Sequence, residues 1–259
     1  MIKENAILVV SFGTSYTDAC AKTIDKIEEE ILDKYPEYEV YRAWTSEIIR
    51  RKIEKRDGIH TFSVKEALEQ MKKDGIKKLV VQPTHILNGV ENDTMIDAVN
   101  VNAKFFEKVS VGTPLLTSKE DMEEVLGIVV KELQPEKDEA LVFMGHGSEH
   151  NVNTVYASMN EILTAKGISN VMIGTVKGCP TMEDILKELK IRNYKKVKLA
   201  PFMVVAGAHA YKELAGEEED SWKSILEKEG YEVSCELKGI GEFAGVRNVY
   251  LSHLKKAME

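Results

Sequence analysis

Short apolar runs alternate along the whole chain with longer stretches in which apolar residues recur every three or four positions. The short runs predict strands over 6–11, 38–43, 78–82, 109–112, 139–144, 170–175, 196–201 and 231–236. The longer stretches predict helices over 17–34, 46–56, 63–73, 92–107, 119–133, 151–166, 181–190, 209–229 and 242–257. The first run, Ala6-Ile7-Leu8-Val9-Val10, is apolar at consecutive positions, as in a strand covered on both faces. Helix ends are visible too. Ser63-x-x-Glu66 has the form of a capping box, Asp74-Gly75 and Asp57-Gly58 are stops, and Pro36 lies just past the first helix. Strands alternating with helices predict an α/β fold built from parallel βαβ units.

The pattern repeats within the chain. Leu8-Val9-Val10-Ser11-Phe12-Gly13-Thr14-Ser15 is echoed by Leu141-Val142-Phe143-Met144-Gly145-His146-Gly147-Ser148. The segment from Val81 through Pro83 and Gly89 to Glu91 is echoed by the segment from Leu199 through Pro201 and Gly207 to His209, with each matched pair 118 positions apart. Two echoes in the same order predict a duplicated unit, with one α/β domain over 1–122 and another over 123–259, the last helix free to pack back on the first domain. No Pro-rich or low-complexity linker separates them. The acidic run Glu217–Asp220 is expected to be solvated.

The chain has 259 residues, 43% hydrophobic and 30% charged, which is ordinary for a globular protein. No apolar run approaches the roughly 20 residues that span a bilayer. The first apolar run is short and lacks a cleavage site, so a cytoplasmic address and no membrane partner are expected. The formal charge of −8 argues against a nucleic-acid partner. Cys20, Cys179 and Cys235 are widely spaced and form no C-x-x-C pair, which argues against a disulfide framework or a structural zinc site.

In open α/β sheets, ligands bind beyond the carboxyl ends of the strands. Loops 11–16, 84–91, 145–150 and 202–210 occupy that position and would line one cleft if the halves face each other. His146 follows a strand directly and lies between Gly145 and Gly147, which leave its side chain unshielded. His209 opens a predicted helix at the place that corresponds to Glu91 in the first half. His146, His209 and Glu91 together would supply imidazole and carboxylate groups, which bind borderline divalent metals such as Co²⁺, Ni²⁺ and Zn²⁺ and also accept protons. Each also has a plain structural reading, as a loop hydrogen-bonding histidine, a helix-start histidine and a carboxylate at a helix N-terminus. His85, at a strand end, either lines the cleft or packs. His150 is not in helical register with His146, and His60 and His253 read as surface residues. Arg42, Arg50, Arg51 and Arg56 form a basic window able to pair carboxylates, with Arg42, near a strand end, the best placed. Backbone N–H groups at Ser11-Phe12-Gly13-Thr14-Ser15 suit an anion, but no nucleotide-binding glycine pattern is present.

Val9–Ser15, Arg50–Gly58, His85–Glu91, Phe143–Gly147, Val204–His209 and Asp220-Ser221-Trp222 resemble, in order and over the whole length, the anaerobic sirohydrochlorin cobaltochelatases. The resemblance implies the class II chelatase fold, two Rossmann-like halves related by a pseudo-two-fold. It also implies ATP-independent insertion of Co²⁺ into sirohydrochlorin on the anaerobic cobalamin route. Metal insertion strips water from a cation and removes two pyrrole protons, so a weak metal site beside a base would serve it. The family's two histidine ligands correspond to His146 and His209, with Ser11, Gly13, Thr14, Arg42, His85 and Leu87 the expected substrate-binding positions. The family's glutamate ligand, in a Val-Glu-Ser/Gly-Tyr-Pro segment, corresponds to Lys177 in Val176-Lys177-Gly178-Cys179-Pro180. A lysine there repels a divalent metal. Glu91 could serve as the carboxylate instead, Cys179 could be a soft substitute ligand, or the fold could bind a tetrapyrrole or metal without inserting it. A bilobed small-molecule binder is a further alternative. The oligomeric state stays open, a homo-oligomer included.

Overall fold

The computed structural model describes residues 3–147 and 154–259; Ser148 and His150 lie outside the described residues. The chain divides into two compact units. One comprises Met1–Thr117 with Arg247–Glu259, and the other Ser118–Val246.

The first unit contains strands β1 (Asn5–Ser11), β2 (Glu39–Trp44), β3 (Lys78–Pro83) and β4 (Lys108–Val111). They form one parallel sheet in the order β2-β1-β3-β4. Helices α1 (Thr17–Lys22), α2 (Ile24–Lys34), α3 (Glu47–Asp57), α4 (Val64–Lys73) and α5 (Val90–Asn102) connect them. Residues 6–10 of β1 are fully buried. Ala6, Leu8 and Val10 meet α4 and α5 through Ala67, Leu68, Met71 and Met95, while Ile7 and Val9 point to the opposite face. Burial on both faces explains why this strand reads as a continuous apolar run. The Ser63–Glu66 capping box forms.

The second unit repeats the plan. After α6 (Lys119–Leu133), strands β5 (Glu139–Gly147), β6 (Val171–Lys177), β7 (Lys196–Phe202) and β8 (Glu232–Cys235) pair in parallel in the order β6-β5-β7-β8. Helices α7 (Thr154–Ala165), α8 (Met182–Arg192) and α9 (Trp222–Lys228) flank this sheet. Ala140, Val142 and Met144 pack toward α8 and α9 through Ile185, Leu189, Trp222 and Leu226. On the other face of β5, Phe143 meets Phe202 edge-on, with ring centroids 5.5 Å apart. The internal echo thus has a physical counterpart: both units have the same strand order, and in each the order reverses beside the first strand.

Three expectations need correction. The helix predicted over 17–34 is broken at Thr23, which leaves helical φ/ψ (−125°, −83°); its hydroxyl donates to the Ala19 carbonyl at 2.5 Å in place of its amide, which bonds to the Cys20 carbonyl. The helix predicted over 209–229 is a π-helical turn at Ala210–Leu214, a loop, and then α9. Gly216 and Ser221 set that break. A Cβ at Gly216 would come within 2.2 Å of the Lys212 carbonyl oxygen, and the Ser221 hydroxyl donates to the Gly216 carbonyl and accepts from the Ser224 amide. The acidic run 217–220 is exposed in this loop. His253 is buried rather than on the surface. It lies on the face of α10 (Ala244–Met258) that carries the buried Val246, Val249, Tyr250 and Leu254, at helical spacing.

Tyr250 ties α10 to the first unit by donating to the Thr84 carbonyl at 2.7 Å, and Arg247 reaches Glu30 at 2.7 Å. Among the described residues, no helix is long and apolar enough to cross a membrane.

Candidate metal-handling site

The carboxyl ends of β5 and β7 lie at the point where the strand order of the second unit reverses, which is where open α/β sheets bind ligands. His146 is the penultimate residue of β5, and His209 follows the β7 loop. Their rings meet at a centroid distance of 4.7 Å and an interplanar angle of 76°. The two histidines singled out in the sequence are therefore neighbours.

The glycines beside His146 act differently from each other. Gly145 lies against Tyr156, where a Cβ would come within 2.5 Å of the ring. Gly147 has φ of +72°, and a Cβ there would fall 1.6 Å from the Lys177 carbonyl oxygen. Gly147 lets the strand turn while it stays paired with Lys177. The buried Tyr156 hydroxyl is pushed up to about 12 by desolvation, with a Gly147 backbone bond opposing the shift.

Hydrogen bonds fix both imidazoles in one tautomer. His146 Nδ1 lies 2.8 Å from the Gly147 carbonyl, which can only accept, so the neutral ring carries its proton on Nδ1. His209 Nδ1 lies 3.0 Å from Glu213 Oε1, and a carboxylate imposes the same tautomer. Each Nε2 lone pair is left for a metal or a proton. Partial desolvation is the largest influence on His146, which stays exposed at the strand end, and lowers its pKa below the usual 6.5; the Gly147 carbonyl opposes this, and the charges of His209 and Lys177 lower it further. The ring is neutral at pH 7, as a metal ligand must be.

Glu213 is the member of this group that the sequence reading missed. It lies four residues after His209, a spacing that brings side chains together on a helical turn. The turn here is π-helical, a form that recurs at functional sites. Among the described residues, no three His, Cys, Asp or Glu side chains form a ready-made metal cluster. The pair can hold a metal weakly and leaves coordination positions open, which suits a metal in transit.

Most of the remaining candidates belong to the first unit. Ser11 is buried, and its hydroxyl accepts from Thr84 at 2.8 Å. Gly13 has φ of +93° and lies on the Trp44 ring, where a Cβ would come within 2.6 Å. Thr14 is buried and accepts from the Tyr16 amide at 3.2 Å. His85 is buried, with neither ring nitrogen in a hydrogen bond. Burial holds its pKa below 6.5, while Asn92 and the Glu91 charge pull weakly the other way. Leu87 is half-buried, and Glu91 is half-buried in the first turn of α5. The Arg42 guanidinium is committed: its Nε lies 2.8–2.9 Å from Glu28, and its terminal nitrogen contacts both Asp25 and Glu28. Arg50 pairs with Glu66, Arg51 with Glu47 and Arg56 with Asp57. The basic window is thus neutralised residue by residue. Cys179 is exposed and free.

Comparison with known proteins agrees with this architecture. The family model described as cobalt chelatase (CbiK) matches residues 5–259. The sirohydrochlorin cobaltochelatase of Salmonella typhimurium is 32% identical over 256 residues, covering 98% of this chain and 97% of that protein. The sirohydrochlorin cobaltochelatase CbiKC of Nitratidesulfovibrio vulgaris is 32% identical over 259 residues, covering 98% and 91%. Among solved structures, the sirohydrochlorin chelatase SirB of Bacillus subtilis subspecies spizizenii in complex with cobalt is similar in fold, with a TM-score of 0.66, 15% identity and coverage of 98% and 95%.

Proposed function

The chain belongs to the cobalt chelatase family, and from that membership we propose that it inserts Co²⁺ into sirohydrochlorin, with His146 and His209 as the residues that handle the metal. The observation that carries this is the imidazole pair, 4.7 Å between centroids, with both Nδ1 atoms tied down and both Nε2 lone pairs free.

Co²⁺ arrives hydrated. The two Nε2 atoms replace some of its waters, and two neutral donors hold it loosely enough for transfer. The four ring nitrogens then take over the cation. Two pyrrole N–H bonds break, two N–Co bonds form in their place, and two protons leave. As the metal departs, each Nε2 lone pair becomes free to accept a proton. Glu213 holds the His209 proton on Nδ1 and stabilises the imidazolium that results. We assign Glu91 as a further proton acceptor, supported by its match to His209 in the internal repeat. No ATP is needed in this scheme.

The test is anaerobic incubation of the protein with sirohydrochlorin and Co²⁺, followed by absorbance. A rate above the buffer reaction is expected, falling by at least about a hundredfold in His146→Ala and in His209→Ala. Ring binding without rate enhancement would leave a binding protein instead, the reading the two full-length relatives do not favour. Near-full activity in either variant would remove that histidine from the scheme.

A further inference from the structure

Lys177 ends β6, paired in register with Gly147, the residue after His146. The two backbones are in contact there, so the root of the Lys177 side chain is fixed beside Gly147, one residue from His146. Its charge is felt at His146. The side chain is exposed, and no carboxylate among the described residues pairs with it. Other lysines of this sheet are engaged: Lys196 with Asp138 at 3.0 Å, and Lys198 with Glu139 at 3.0 Å. Glu213, the carboxylate bound to the histidine pair, is taken by His209.

A free ammonium at this place works against cobalt, because its charge repels the cation. It suits an anion. The macrocycle is ringed by acetate and propionate groups, and elsewhere in the chain Arg42, Arg50, Arg51 and Arg56 are already occupied by protein carboxylates. A lysine on a flexible stem can follow a carboxylate at the rim while the ring centre lies over the histidines.

We propose that Lys177 is a positioning residue that pairs with a rim carboxylate of the macrocycle beside His146 and so fixes the rotation of the ring whose centre lies over the imidazole pair. This rests on the chelatase reading. A consequence is coupling between the two substrates. Once its charge is neutralised by the carboxylate, Lys177 no longer repels cobalt, so bound macrocycle favours metal entry, and the reverse.

The experiment is metal-free anaerobic titration of sirohydrochlorin into wild type, Lys177→Met and Lys177→Arg, with steady-state Co²⁺ insertion measured alongside. Lys177→Met should raise the macrocycle Kd about tenfold and raise KM with little change in kcat. The salt dependence of binding should flatten. Lys177→Arg should restore both. If Lys177→Met binds the macrocycle as tightly as wild type, or if Lys177→Arg behaves like Lys177→Met, the assignment is wrong while the chelatase reading stands. If wild type itself neither binds sirohydrochlorin nor inserts cobalt, both fall together.

Discussion

Glu213 touches no substrate in the proposed scheme, yet removing it should weaken the metal site measurably. Its Oε1 accepts a hydrogen bond from His209 Nδ1 at 3.0 Å. A hydrogen bond to a charged acceptor contributes about 1.5–3 kcal/mol when buried. The side chains of His209 and Glu213 are 35% and 42% exposed, so solvent screening discounts this to about 1–2 kcal/mol. That corresponds to about 5–30-fold in cobalt affinity, because the carboxylate both orients the ring and raises the donor strength of Nε2. Glu213→Ala should lose the whole effect. Glu213→Gln keeps an acceptor oxygen without the charge, and should fall between Ala and wild type. The assay is competition for Co²⁺ against a coloured chelator in the absence of macrocycle, with circular dichroism to confirm the fold. Wild-type cobalt affinity in Glu213→Ala would refute the argument that this carboxylate tunes the histidine pair.

Other consequences follow from the same geometry. Lys177→Glu replaces a repelling charge beside His146 with an attracting one, and should tighten cobalt binding about tenfold in the same competition assay; unchanged or weaker binding counts against the reading of that position. Gly147→Ala must place a Cβ against the Lys177 carbonyl at positive φ, which no side-chain rotation relieves, and should cost at least about 2 kcal/mol in urea unfolding. A loss under about 0.5 kcal/mol would mean that the β5–β6 end is looser than described. His85 is buried with its folded pKa below 6.5, so the unfolded chain binds that proton first as pH falls. Its stabilising contribution is whole above pH 6.5 and shrinks by up to about 1.4 kcal/mol per pH unit below it, until the folded pKa is reached. Between pH 7.5 and 5.5, wild type should lose more stability than His85→Gln, and equal losses would contradict the assignment.

Much of the fold can be read from the residues because the two sheets are covered on both faces. The central strands of such a sheet must be apolar in a compact run, as β1 and β5 are, and all eight predicted strands are present. The repeat was legible for a related reason. Equivalent βα turns meet the same steric demands, so Pro83 and Pro201, and Gly89 and Gly207, recur at one spacing. Helix interruptions were less legible. Thr23 and Gly216 sit within patterns that look continuously helical, and what stops each helix is a backbone contact that periodicity does not encode.

At the site, residue type was informative and partnership was not. A histidine between two glycines at a strand end signals an available imidazole, and His146 is one. Nothing in its neighbourhood along the chain says that His209 lies 4.7 Å away, or that both rings are pinned through Nδ1. Glu213 was hidden because a carboxylate four residues from a histidine is common on any helix. Arg42 looked free at a strand end, and it is held by Glu28 and Asp25. Apolar spacing specifies which faces are buried, since water acts on each side chain along the chain in the same way. Which charges are spent internally and which remain open to a ligand depends on distances between residues remote in sequence, and those exist only once the sheets have formed.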